Sequence, residues 1–144
     1  MAAEINFYQA DETIIKSLAP LLIKVLDEKK KALIFCKNAA QIKAIDDSLW
    51  SYGRSKFIPH ITISDTDFVM ERQPILISDK EENANKADYL VFFDLPSSEF
   101  LSSFKRVFHF FEEAGFSNAA ALAKKVKPTN CYKKSDGKWV KFSF

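Results

Sequence analysis

Apolar residues fall into blocks whose spacing changes along the chain, and the changes mark out elements. Ile5-Asn6-Phe7-Tyr8 is a short strand-like run closed by the turn-prone Gln9-Ala10-Asp11. Ile14, Leu18, Leu21, Leu22, Val25 and Leu26 then recur at helical spacing, which predicts a helix capped by Asp11 or Thr13 and running to about Glu28. Pro20 interrupts it, either as a kink or within the first turn of a helix that starts near Ser17. After three lysines, Ala32-Leu33-Ile34-Phe35-Cys36 is continuously apolar, the pattern of a strand buried on both faces. Asn38 is placed to cap a second helix with Ile42, Ile45 and Leu49 on one side and Lys43, Asp46 and Asp47 on the other. That helix ends on Ser48-Leu49-Trp50, and a polar connector leads to Phe57-Ile58-Pro59-His60.

Beyond His60 the pattern predicts a short strand at 61–63, a loop over 65–73 and a buried strand on Pro74-Ile75-Leu76-Ile77. A polar, exposed stretch follows over 79–86. Tyr89-Leu90-Val91-Phe92-Phe93 is the strongest strand signal, and Asp94-Leu95-Pro96 ends it. Ser97 or Ser98 then caps a predicted long helix whose stripe is Phe100, Leu101, Phe104, Val107, Phe108 and Phe111, with His109 on the same helix and Gly115 ending it. A short last helix is expected over 119–126, broken by Pro128 and followed by a basic tail containing Tyr132, Gly137, Trp139, Val140 and Phe142. Strands alternating with helices predict an α/β fold: one domain over 1–144, a three-layer α/β/α sandwich around a mainly parallel or mixed sheet.

Composition narrows the function. At 144 residues, with 47% hydrophobic and 28% charged side chains, the chain can bury a sizeable core. No apolar run is long enough to cross a membrane, and no secretory leader is visible, so a cytoplasmic, reducing compartment is expected. Only three glycines occur (53, 115 and 137), so the fold is Rossmann-like without a dinucleotide fingerprint or a P-loop, and no cofactor is expected. Cys36 and Cys131 fit no metal-ligand spacing and read as free thiols; no metal site is expected. An enzyme would draw on Cys36 as nucleophile with His60 and Asp94, but nothing around Cys36 resembles a nucleophile motif.

Charge is unevenly spread. From Lys124 onward there are seven lysines against one acid, Asp136, a net of +6, while the preceding residues carry 14 basic and 18 acidic side chains, a net of −4. A basic segment over 124–144 on a mildly acidic body fits a solvated charged end, a single-stranded nucleic-acid site using lysines for phosphates and aromatics for stacking, or a site for an acidic peptide. Trp50 and Phe57, beside a polar connector, fit either the edge of a core or the anchors of a protein interface.

Taken in order, Phe7-Tyr8, the strand ending at Cys36, Leu49-Trp50, Phe57-Ile58-Pro59-His60, Pro74-Ile75-Leu76-Ile77, Arg106-Val107, Tyr132-Lys133, Gly137 and Trp139 resemble the chi subunit of bacterial DNA polymerase III. The resemblance implies a non-catalytic subunit associated with the clamp loader in DNA replication. It also implies two partners: the acidic C-terminal tail of the single-stranded-DNA-binding protein, and the psi subunit or another clamp-loader component. Contact with DNA would be indirect. Matching positions for the tail are Lys124, Tyr132 and Lys133, with Lys127, Lys134 and Trp139 as neighbours; those for psi or another partner are Trp50 and Phe57. Lys127-Pro128-Thr129-Asn130 departs from the family pattern, where a continuous helix leads to the Tyr-Lys pair.

Overall fold

A computed structural model describes residues 4–52, 58–65 and 67–144. Eight strands, β1 (Glu4–Ala10), β2 (Ala32–Phe35), β3 (Ile61–Thr62), β4 (Ile75–Ser78), β5 (Tyr89–Phe92), β6 (Arg106–Glu112), β7 (Asn130–Ser135) and β8 (Lys138–Lys141), form one sheet in the order β3-β4-β2-β5-β6-β1-β7-β8. Every neighbouring pair is parallel except β7 with β8. The helices are α1 (Ile14–Asp27), α2 (Ala39–Tyr52), α3 (Ser98–Ser102) and α4 (Phe116–Val126).

Two apolar cores explain the layering. On one face Leu18, Leu22 and Val25 of α1 and Ile42 and Leu49 of α2 pack on Ile34, Ile75, Ile77, Val91, Phe108 and Phe110. On the other, Phe100 and Leu101 of α3 and Ala119 of α4 pack on Phe7, Leu33, Leu76, Leu90, Phe92 and Phe111. Parallel strands are joined by crossovers that cover both faces, so β2 and β4 are buried at every position. Phe7, Phe92 and Phe108 are fully enclosed, each contributing about 1.5–3 kcal/mol through its side-chain burial. Pro20 lies inside α1, where it removes one backbone hydrogen bond; the burial of Leu18, Ala19, Leu22 and Val25 holds the helix against that loss. Asn38 caps α2, its Oδ1 accepting from Gln41 N–H at 3.0 Å, and Ser97 caps α3, its Oγ accepting from Phe100 N–H at 3.2 Å.

The predicted long helix from Ser98 does not form. Chain direction changes after five helical residues, and Arg106–Glu112 becomes β6, in the interior of the sheet between β5 and β1. Five consecutive apolar or aromatic-like residues, Val107 to Phe111, satisfy a helical stripe and a doubly buried strand equally well, and the sheet position selects the strand. Phe108 and Phe110 enter the α1 core while Val107 and Phe111 enter the α4 core. His109 is therefore a strand residue, its ring stacked on Phe92 at 4.7 Å and its Nδ1–H donating to the Phe92 carbonyl at 2.9 Å. Gly115 ends a 3-10 turn (Glu113–Gly115) and precedes α4 instead of closing a helix.

Two further expectations change. The polar 79–86 stretch contains a buried residue, Asn85, whose Nδ2 donates to the carbonyls of Ala32 and Gln73, each at 3.1 Å. The basic tail is a hairpin, β7 and β8. Pro128 does end α4, with Lys127 in the left-handed region at φ 51° between helix and proline.

Candidate functional site

The hairpin is built by its turn. Asp136 and Gly137 have φ of 50° and 77°, the pair of positive values that a two-residue type I′ turn requires, and Asp-Gly is a sequence that supplies them. Successive side chains of β7 point to opposite faces. Asn130, Tyr132 and Lys134 share the face of Tyr8, whereas Cys131 joins the α4 core, and Lys133 follows Cys131 on that face.

Tyr132, Lys134 and Trp139 come together. The Tyr132 ring stacks on Tyr8 with centroids 5.2 Å apart and planes 17° apart. Trp139 meets Tyr8 edge-on at 5.0 Å, and Lys134 Nζ sits 4.8 Å above the Trp139 ring. Burial, with Tyr132 close by, pushes the Tyr8 hydroxyl above its ordinary pKa. The aromatic rings of this face are thus spent largely on one another.

Lys124 stands apart from that group. It lies in the last turn of α4 and lines a cleft of about 420 Å³ with Ala120, Ala123, Pro128, Cys131 and Phe142. Its walls are mostly apolar, and a lysine stands among them. Exposed Lys127 lies just past the helix. Lys133 and Lys134 instead line a cleft of about 470 Å³ with Asp11, Glu12, Glu112 and Glu113, where carboxylates outnumber ammonium groups. Of the six lysine and aromatic positions, Lys124 and Lys127 thus lie at the end of α4, and Tyr132, Lys133, Lys134 and Trp139 lie on the two faces of the hairpin, with Lys124 alone among the six on the apolar cleft.

The Trp50 region has a different construction. Asp46 and Trp50 are four residues apart on α2 and so share a helix face. His60 packs between them: its ring is 4.8 Å from the Trp50 ring and its Nε2 is 2.9 Å from Asp46 Oδ1, at ion-pair distance but without hydrogen-bond alignment. On the other side, His60 Nδ1 is 2.7 Å from the Ile58 carbonyl. The His60 side chain is enclosed while Trp50 remains 56% exposed. The segment after Pro59 is thereby tied to α2 directly beneath an exposed tryptophan. Phe57 lies outside the described residues.

Two members of the cysteine constellation, Cys36 and His60, are placed for other roles. Burial, aided by Asp79, pushes the Cys36 thiol up to about 12, the wrong direction for a nucleophile at neutral pH. His60 is engaged with Asp46 and Ile58. Among the described residues, no three His, Cys, Asp or Glu side chains gather as a metal site, and no helix is long and apolar enough to cross a membrane.

Residues 2–125 match the family described as DNA polymerase III chi subunit, HolC. A curated protein of Rickettsia prowazekii (strain Madrid E), named as a probable DNA polymerase III subunit chi, is 29% identical over 108 residues, covering 70% of this chain and 64% of that protein. The chain thus aligns with just under two thirds of that relative's length. The family match includes β1 to β6 and nearly all of α4, and stops short of the hairpin. The chain belongs to the DNA polymerase III chi subunit family.

Proposed function

We propose that the chain is a non-catalytic accessory subunit of the bacterial replicative DNA polymerase III, one cytoplasmic domain that bridges the clamp loader and the acidic C-terminal tail of the single-stranded-DNA-binding protein. The observation that carries the tail-binding part is the apolar cleft walled by Ala120, Ala123, Pro128, Cys131 and Phe142 with Lys124 among its lining. An apolar side chain at the end of a peptide has a place to be buried there, and Lys124 supplies a charge-assisted partner for a carboxylate. Lys127 extends positive charge beside that cleft, and Lys133 and Lys134, the latter held over Trp139, add to it from the hairpin, partly offset by Asp11, Glu12, Glu112 and Glu113 in the cleft they share. A disordered peptide loses entropy on docking and its charged contacts are exposed, so affinity is modest and weakens with salt.

The clamp-loader side of the bridge is assigned to Trp50. A large aromatic that is half exposed, yet fixed from below by His60, has the low ordering cost expected of an interface anchor. The partner proposed here is psi or another clamp-loader component, with Phe57 joined to Trp50 on the strength of the family resemblance alone.

The test is a calorimetric titration of the full chain with the tail peptide at low and high salt, repeated with Lys124→Ala and with the pair Lys133→Ala and Lys134→Ala. Saturable binding that weakens with salt and is reduced in Lys124→Ala is expected. No binding to the unmodified chain would sink the tail-capture reading. Tighter binding to oligodeoxythymidine than to peptide would replace it with direct single-stranded nucleic-acid binding through the basic segment.

A further inference from the structure

The outer edge of the sheet is an open strand with charge on both of its faces. In the β7–β8 ladder Lys133 stands opposite Val140, Lys134 opposite Trp139 and Tyr132 opposite Lys141. The Phe142 N–H donates to the Cys131 carbonyl at 2.9 Å, which makes the Cys131–Phe142 pair hydrogen-bonded. Hydrogen-bonded and non-hydrogen-bonded pairs alternate along an antiparallel ladder. The Lys133–Val140 pair is therefore bonded, and the pairs at Lys141 and Trp139 are not. Backbone N–H and C=O groups of Trp139 and Lys141 consequently face away from β7. Sheet order ends at β8, so among the described residues no strand takes them up.

Three features separate this edge from one that is merely guarded. It contains no proline, and its register with β7 runs without a bulge. Trp139 and Val140 present apolar surface, 36% and 49% exposed, to either side. Its own charge lies on both faces of the sheet, Lys141 on the Tyr8 face and Lys138 on the α4 face, and β7 behind it adds Lys134 to the first and Lys133 to the second. A ligand resting on one face reaches only half of these lysines. A strand added along the edge, whose own side chains alternate, lies directly beside Lys138 and Lys141 on opposite faces, with the two β7 lysines one strand further in.

We propose that β8 receives an extended acidic peptide segment as a ninth strand, with main-chain hydrogen bonds to Trp139 and Lys141 and carboxylates paired to lysines on both faces. A second copy of this chain is a poorer occupant than an acidic segment, because it brings a second lysine-bearing edge of the same charge to the seam. This inference rests on the reading that the chain binds an acidic peptide, and it adds how the acidic portion is held while an apolar end occupies the cleft by Lys124. It also gives a use to the hairpin, which lies beyond the family match.

The test is backbone amide hydrogen exchange, residue by residue, on the full chain with a synthetic peptide carrying an aspartate run ahead of an apolar carboxyl-terminal residue. Slowed exchange at Trp139 and Lys141 is expected, with Lys138 and Val140 little changed because their amides already face β7. In parallel, Lys141→Pro removes an outward N–H from an edge position where proline is tolerated, and should bind about tenfold more weakly than Lys141→Gln. Peptide binding that leaves exchange at Trp139 and Lys141 unchanged, with Lys141→Pro matching Lys141→Gln, overturns the added strand while leaving peptide capture intact. No binding at all overturns both. Protection produced by oligodeoxythymidine and not by the peptide assigns the edge to nucleic acid and also overturns the proposal.

Discussion

The body of this protein, from β1 through α4, and the hairpin that follows are made by opposite means. In the body, side chains are chosen for what they bury: β2 and β4 have no exposed position and β6 only one, Glu112. In the hairpin, every residue of β8 is exposed and four lysines are spread over two short strands. The body tolerates charge only where it is solvated or paired, as in Lys43 with Asp47 at 3.1 Å. The hairpin concentrates charge of one sign with a single acid in its turn. Packing accounts for the strands of the body and for the hairpin residues that meet Tyr8 or the α4 core, but not for the lysines of β8. The same contrast runs through the two candidate docking surfaces. Trp50 is one aromatic locked by His60, suited to a defined pocket on a folded partner, whereas the hairpin offers distributed charge suited to a flexible acidic segment.

Truncation separates the regions most sharply. Phe108→Ala opens the α1 core and should cost about 3–5 kcal/mol in denaturant unfolding, while Trp139→Ala should change global stability by about 1 kcal/mol or less. Equal losses would mean that the hairpin is as integral to the core as β6. Next in size, Lys124→Ala should weaken acidic-peptide binding about tenfold, the worth of one charged hydrogen bond, with the unfolding midpoint unmoved. A shifted midpoint and unchanged affinity would make Lys124 a packing residue of α4 instead of a docking one.

A pH series gives a smaller effect confined to the body. Burial holds the His109 imidazole below its ordinary pKa, partly offset by its bond to the Phe92 carbonyl. A depressed folded-state value means that the unfolded chain binds the proton more readily. Stability is then complete above the unfolded value of about 6.5 and is lost as pH falls through the folded value. Thermal midpoints measured downward from pH 7 should decline, and His109→Phe should flatten that decline at the expense of the carbonyl bond. An identical slope in the variant would point to another group. The smallest change expected is Lys127→Gly: relieving the left-handed backbone of a non-glycine residue should raise stability by about 1 kcal/mol while removing one positive charge beside the cleft. A fall in stability would show that Lys127 holds the end of α4 in place.

Much of the sheet was readable from residue pattern alone. Strands β2, β4 and β5 are short continuous apolar runs, and Asn38 and Ser97 are helix caps by residue type and position. Residues 98–111 misled because Phe100, Leu101, Phe104, Val107, Phe108 and Phe111 fit a helical stripe; the unbroken run from Val107 to Phe111 was the opposing signal, and only covering both faces decides it. The hairpin had a local signal in Asp136-Gly137 between lysine-and-aromatic segments. Which face each lysine takes follows only once 130–135 is known to be a strand. The Asp46–His60–Trp50 cluster was not readable, because it depends on how the segment through Pro59 returns to α2.

The most direct test of the account is a two-dimensional amide NMR titration of the full chain with the acidic tail peptide. Saturable shift changes gathered in 124–144, with the Trp50 indole unmoved, are the predicted result. Changes centred on Trp50 and His60, or none at any peptide concentration, would contradict the division of tasks between body and hairpin.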